Sequence, residues 1–215
     1  MLLDIHTHHK LPQPEAVYGI CVGEEEITFD PGQAYSIGVH PWTAARMSAE
    51  TDADITDELF SQLEKEVERK EVVAIGECGV DLGPQGGPLF KQMLLFRRHV
   101  ELSERIGKPL IIHDVKAHDI IAGARRDLKP AQNWAIHGFR RNAATAQMLL
   151  RAGCYISFGS EFNPEALRAM PLDRILAETD NDDVTIEQVI NRISGTLAEE
   201  MHDRIAENTR RFLGL

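Results

Sequence analysis

Short runs of branched apolar residues recur along this chain of 215 residues, separated by polar segments. Runs of this length and composition predict buried strands of a parallel sheet. Five of the runs lead to a residue that can bind a metal, namely His6, Glu77, His113, His137 and Asp180. Three more runs cover residues 16–21, 34–39 and 154–158. The pattern therefore predicts about eight strands, the number that closes a TIM barrel.

Longer segments between the later strands have the spacing of helices. Residues 54–70 place their apolar side chains on one helical face. Residues 88–106 are followed by a glycine and then a proline, which are helix stop signals. Residues 143–151 predict a third helix. Thr196 and Glu199 form a capping-box pattern, which predicts a last helix from there to about Leu213.

The first part of the chain fits this scheme less well. The connections between the first three predicted strands are shorter than a parallel crossover usually needs, and they contain Pro12, Pro14 and Pro31. The first crossovers are therefore loops or are missing, or residues 20–29 form a hairpin. We predict one α/β domain over residues 1–215, a distorted TIM (β/α) barrel with its early helices shortened or missing.

The composition limits the partners of the protein. A net charge of -11 argues against a broad, sequence-independent grip on nucleic acid. It allows an enzyme that handles only a chain end, because bound cations can invert the local potential. Three scattered cysteines predict neither a disulfide framework nor a thiolate zinc site. Without an apolar run of membrane-spanning length or a signal peptide, we expect a cytoplasmic monomer with no membrane partner.

The metal-binding residues should lie together. The carboxyl ends of all strands of a parallel barrel meet at one mouth, where catalytic groups are found. Imidazoles and carboxylates there are suitable ligands for two divalent ions, Zn, Mn or Mg. Such a pair activates water for phosphoester hydrolysis, with Glu77 as bridging ligand and Asp180 as ligand and base. The predicted set of ligands comprises His6, His8, Glu77, His113, His137 and Asp180.

Six short motifs resemble the signatures of the TatD family of metal-dependent hydrolases, in family order. The most specific is the Gly-Glu-x-Gly-x-Asp stretch around Glu77, which favours this family over others that begin with Asp-x-His-x-His. The motifs occupy residues 4–8, 38–41, 74–81, 109–113, 136–139 and 178–180.

The resemblance implies a distorted TIM barrel that holds two divalent ions and trims DNA from a 3′ end. It implies that His40 contacts the phosphate or its leaving group. It implies one ion held by His6, His8, Glu77 and Asp180, and a second held by Glu77, His113 and His137.

Departures from the family pattern affect the expected substrate contacts. Val115 stands where the family often has an arginine, and Lys116 or His118 is a candidate to replace that positive charge. Arg140 and Arg141 follow the strand of His137 and are candidate phosphate ligands. The predicted partner is therefore a DNA end or a small phosphoester.

Two alternatives to a DNase stay open. The first is a two-metal hydrolase of a small phosphoester or an amide. The second, from another functional class, is a metal-binding protein without turnover.

Four further residues carry smaller expectations. Trp42 is expected either to stack on a base or to pack against the barrel rim. Asp81 is expected to cap a turn. His99 and His202 are expected to be ordinary helix residues.

Overall fold

A computed structural model describes residues 1–9, 13–46 and 52–215, and within these ranges the chain forms a closed parallel barrel. Each strand pairs with the next, and the last pairs with the first. The strands are β1 (Asp4–Thr7), β2 (Ala16–Cys21), β3 (Ala34–Gly38), β4 (Val72–Asp81), β5 (Leu110–Val115), β6 (Trp134–Ile136), β7 (Tyr155–Phe158) and β8 (Ile175–Ala177). The predicted TIM-type barrel is confirmed.

Helices surround the barrel from the end of β3 onward. A 3-10 turn at Leu172–Arg174 precedes β8. The helices are α1 (Thr43–Arg46), α2 (Asp52–Glu66), α3 (Leu89–Ile106), α4 (His118–Leu128), α5 (Ala143–Arg151), α6 (Pro164–Arg168), α7 (Ile186–Leu197) and α8 (His202–Leu213).

The first crossovers contain no helix in the part of the chain that the structure describes. Residues 22–33 form an irregular loop with a single bridge between Val22 and Glu25, and β2 and β3 run parallel. The alternative of a hairpin within residues 20–29 is therefore wrong, and the expectation of missing early helices is correct.

The prediction of one long C-terminal helix starting at Thr196 is wrong, because this region contains two helices. The capping box lies at the start of α7, where the hydroxyl of Thr185 accepts from the amide of Gln188 and the Gln188 side chain accepts in return. Thr196 lies in the last turn of α7, which ends at Leu197 and is followed by Ala198 in a left-handed conformation. Thr185 and Thr196 carry the same local capping pattern. The helix begins at Thr185 because the apolar face that follows it is buried.

The apolar core has two layers. The larger one packs the strands against the helices, with Trp134, Phe60 and Phe96 fully buried. A smaller cluster takes a residue from most strands and fills the barrel interior. Phe212 at the end of α8 packs against this inner cluster. Its carbonyl accepts from the side chain of Asn133, just before β6, so α8 closes the amino end of the barrel.

Buried Asn208 fixes α8 to the barrel. Its amide nitrogen donates to the carbonyl of Leu172 at 2.7 Å and to that of Ile175 at 2.8 Å, at the start of β8. Each such bond contributes about 1 kcal/mol. Of the helices described, none has the length and apolar character needed to cross a bilayer.

Candidate metal centre

A cavity of about 380 Å³ opens at the carboxyl ends of the strands. This is the end of the barrel at which the sequence places the metal-binding residues. Its lining residues are His8, Cys21, Glu24, Glu25, His40, Trp42, Glu77, His113, His137, Asp180 and Asn181.

The carboxylate of Glu77, which is only 6% exposed, lies at the centre of the cluster. Its Oε2 atom faces the imidazoles from β1, at 3.1 Å from His6 Nε2 and 3.4 Å from His8 Nε2. Its Oε1 atom faces three further imidazoles, at 2.6 Å from His137 Nε2, 2.8 Å from His113 Nδ1 and 3.5 Å from His40 Nε2. One carboxylate thus joins two groups of nitrogen donors, as a bridging ligand does.

The electrostatics of the cluster favour added positive charge. Burial alone would raise the pKa of Glu77, but the His137 and His6 imidazoles outweigh it and hold that pKa well below its usual range. Burial alone would lower the pKa of His137, but the charge of Glu77 raises it well above normal. Protons and metal ions therefore compete for the same nitrogens, and metal binding should weaken in acid.

Asp180 reaches the cluster across the seam between β1 and β8. Its amide donates to the carbonyl of His6 at 2.9 Å, and its carbonyl accepts from the amide of His8 at 3.0 Å. Its Oδ1 atom lies 3.9 Å from His6 Nε2. The backbone of Asp180 is left-handed, with φ 50. The structure thus brings together the six residues predicted as metal ligands.

Below the cluster, buried Asp4 holds the same seam. Its carboxylate accepts from the Thr179 hydroxyl at 2.6 Å and from the amide of His6 at 3.1 Å. Burial raises the pKa of Asp4 to about 8. The carboxyl group of Asp4 therefore supports the strand that carries His6 and does not line the cavity.

Two glycines make room for the imidazoles. A Cβ atom at Gly19 on β2 would lie 2.7 Å from Cε1 of His6 and 3.0 Å from Cε1 of His8. A Cβ atom at Gly79 would lie 2.1 Å from the carbonyl oxygen of His113, and the φ of Gly79 is +142. Neither site accepts a side chain without displacing a residue of the cluster.

His40 belongs to the cluster itself, whereas the other predicted substrate residues lie beside it. Lys116 and Arg140 line an adjoining groove of about 180 Å³ that shares His137 with the cavity. Both side chains are exposed. Arg140 Nη1 lies 3.2 Å from a carboxylate oxygen of Glu161. These two residues could contact a substrate that extends from the cavity into the groove.

Two buried residues near the cluster were not predicted to support it. Glu178 is fully buried, accepts from the amide of Gly138 and lies 3.6 Å from His137 Nδ1. Its position two residues before Asp180 was the available signal. His99 on α3 is also fully buried, so it is more than an ordinary helix residue. Its Nε2 accepts from the amide of Val39, next to His40, at 2.9 Å.

The donor set fits divalent metal ions. Two groups, His6–His8–Glu77 and His40–Glu77–His113, each have ligand atoms within 4.8 Å of one another. Nitrogen and carboxylate donors of this kind bind zinc, manganese and related ions. A parallel barrel with such a cluster at its carboxyl mouth has the architecture of a metal-dependent barrel hydrolase.

Comparison with known proteins agrees with this class. The family model described as "TatD related DNase" matches residues 24–214. The chain belongs to this family.

Two bacterial relatives are similar to the chain over part of their length. The chain is 31% identical over 156 residues to the uncharacterized metal-dependent hydrolase YcfH of Escherichia coli K12, a match that covers 68% of the chain and 55% of YcfH. It is 32% identical over 161 residues to the 3'-5' ssDNA/RNA exonuclease TatD of Erwinia billingiae, covering 70% of the chain and 58% of that protein. The chain thus spans little more than half the length of these two relatives.

A solved structure shares the whole fold. The TatD homologue YJJV of Escherichia coli K12 superposes with a TM-score of 0.79 at 20% identity, covering 100% of this chain and 98% of that one.

Proposed function

We propose that this protein is a two-metal phosphodiesterase that trims the end of a DNA strand. The observation that carries the proposal is the Glu77 carboxylate, whose two oxygens face two separate groups of imidazoles. The relative described as a 3'-5' ssDNA/RNA exonuclease supports the substrate class. In the proposal, one divalent ion is held by His6, His8, Glu77 and Asp180, and the other by Glu77, His113 and His137.

When bound, the two ions would activate water near neutral pH and neutralise charge on the phosphate oxygens. Side chains of the protein would accept the proton and bind the phosphate. Asp180 lines the cavity and is about one third exposed, so its carboxylate can accept the proton of the attacking water. His40 faces the same space and is assigned to a phosphate oxygen.

The distribution of charge around the mouth supports a substrate that enters from one side. Lys116 and Arg140 line the groove next to His137, and they are assigned to the next phosphates of the strand. Glu24 and Glu25 line the main cavity. Arg46 pairs with Glu24 at 2.7 Å, so Glu25 is the residue whose negative charge disfavours continuation of a polyanion past this side, which favours a chain end. One chain supplies every residue of this site, so we expect a monomer to be active.

A small phosphoester is the second candidate substrate. The limited volume of the main cavity and its two rim glutamates favour it, because neither feature suits a long strand.

The test is cleavage of single-stranded DNA labelled at its 5′ end, with added Mg²⁺, Mn²⁺ or Zn²⁺. We expect a ladder of shortened products that disappears with a chelator and in His113→Ala. His202→Ala on α8 is the matched control, because that partly exposed histidine is not part of the cluster, and it should cleave normally. If protein shown to hold metal leaves the DNA intact but hydrolyses a small phosphoester, the DNase assignment is wrong and the second candidate replaces it.

A further inference from the structure

The Asp81 carboxylate at the end of β4 contacts more groups than a turn requires. Asp81 is 4% exposed, and its Oδ1 accepts from the amide of Gly83 at 2.6 Å, which is the expected turn contact. Its Oδ2 accepts from Trp42 Nε1 at 2.6 Å and lies 3.2 Å from His113 Nε2. The carboxylate therefore connects the turn after β3 with a predicted metal ligand on β5.

A second residue holds the backbone of Asp81 in place. Gln92 on α3 is fully buried, and its Oε1 accepts from the amide of Asp81 at 2.6 Å. Its Nε2 donates to the carbonyl of Asp81 at 2.8 Å. The backbone N–H and C=O groups of Asp81 are thus both bound by the Gln92 side chain. The position of the carboxylate is fixed from the strand side as well as from Trp42.

This arrangement determines how His113 presents its ring. Three N–H groups can point at the Asp81 carboxylate, from Trp42, Gly83 and His113, and an ionised carboxylate offers only acceptors. The Asp81 carboxylate therefore favours the form of His113 that carries its hydrogen on Nε2. Nδ1 lies 2.8 Å from Glu77 Oε1, on the side of the cluster, and would present its lone pair to an ion bound there. Outer carboxylates of this kind orient histidines that bind metals.

We propose that Asp81, held by Trp42 and Gln92, is a positioning residue that fixes the tautomer of His113 and directs its Nδ1 atom to the metal. The N–H group of Trp42 is then committed to this role, and the bond to Asp81 fixes the orientation of the indole. The proposal rests on the metal centre of the proposed function and is independent of the substrate.

The first test is Asp81→Asn, which keeps the size of the side chain but replaces one acceptor by a donor. An amide nitrogen in the place of Oδ2 would donate to His113 Nε2 and would lose the bond from Trp42 Nε1. An amide oxygen in that place is neutral and accepts the Nε2 hydrogen less strongly than the carboxylate does. In ¹⁵N NMR of the metal-free protein, we expect the share of His113 that carries a hydrogen on Nε2 to be lower in the variant than in the wild type. In calorimetric titrations with Mn²⁺ or Zn²⁺, we expect one of two binding steps to weaken about 10- to 100-fold.

Asp114→Asn is the matched control. Asp114 Oδ2 lies 2.7 Å from His118 Nδ1, so this variant breaks a histidine–carboxylate pair of the same kind away from Glu77. It should leave both binding steps unchanged. Folding of each variant is checked by circular dichroism and thermal unfolding.

Trp42→Phe tests the same device with the carboxylate intact. Loss of the indole N–H should leave Asp81 less firmly held and weaken the same binding step several-fold. This variant therefore tests the positioning role of Asp81 if Asp81→Asn does not fold. Folded variants with the wild-type tautomer and wild-type metal affinities would overturn the proposal. Absence of any metal binding by the wild type would instead overturn the metal centre, while the NMR measurement would still test the orientation of His113.

Discussion

Replacement of His99 by phenylalanine should change the stability of this protein in a pH-dependent way. The His99 ring is buried and makes two hydrogen bonds, accepting from the Val39 amide at Nε2 and donating from Nδ1 to the carbonyl of Leu95 at 2.8 Å. Only the neutral ring can make both. Phenylalanine fills similar space beside Phe60, whose ring centroid lies 4.8 Å away. The lost acceptor leaves the Val39 amide unpaired, which costs about 1–3 kcal/mol at neutral pH.

Acid should reverse the difference in stability between the wild type and His99→Phe. Burial lowers the pKa of His99 from 6.5 to about 4. The unfolded chain therefore takes up a proton at this site before the folded chain does. The stability due to neutral His99 is complete above pH 6.5 and is lost as the pH falls toward 4. The loss is about 2 kcal/mol at pH 5 and about 3 kcal/mol at pH 4, and His99→Phe does not suffer it.

The assay is urea unfolding of wild type and His99→Phe at several pH values between 7.5 and 4.5, in the presence of a chelator. The free energy of unfolding should be lower for the variant at pH 7.5, and the gap should close or reverse near pH 5. Contributions from the other histidines cancel in the difference. A gap that stays constant across this range would contradict a lowered pKa of His99 in the folded protein, and direct titration of His99 by NMR would then show a pKa near 6.5.

Three further predictions concern the site and the fold. Gly19→Ala should displace the ring of His6 and lower metal affinity about 10-fold or more in calorimetric titration, while thermal unfolding of the metal-free protein changes little. Asn208→Ala removes the two bonds from α8 to the carbonyls of Leu172 and Ile175 at the start of β8, and it should lower the free energy of unfolding in urea by about 2 kcal/mol or more. Lys116→Ala and Arg140→Ala should each weaken binding of single-stranded DNA to an inactive variant and reduce its salt dependence by about one unit of slope; an unchanged slope would remove that residue from the substrate path.

The sequence was sufficient to predict which strand ends meet, because buried parallel strands are recognisable as short apolar runs. Once the strands are placed in a barrel, geometry brings Glu77, His113 and His137 to one mouth. His40 was placed there by family resemblance, and the structure puts its ring against Glu77. Such predictions succeed because they depend on the order and direction of the strands and not on details of packing.

The parts that the sequence did not predict depend on contacts between distant segments. Asp81 was expected only to cap a turn, and its contact with His113 joins residues 32 positions apart. His99 was expected to be an ordinary helix residue, and its bond to Val39 spans 60 positions. The early start of α7 was missed because Thr196 offers the same local capping pattern as Thr185. Local patterns cannot distinguish such cases, since packing decides them.

The barrel closes at the seam between its first strand and its last strand. Asp4 and Thr179, which are 175 positions apart, are hydrogen bonded across it, and His6 and Asp180 face each other just above. An ion bound by both of the latter would act as a reversible cross-link around nearly the whole chain, comparable to a disulfide that closes a very long loop. Amide hydrogen exchange should then accelerate first at Asp4–Thr7 and Ile175–Ala177 when metal is withdrawn, because closure of the ring itself would depend on the ion.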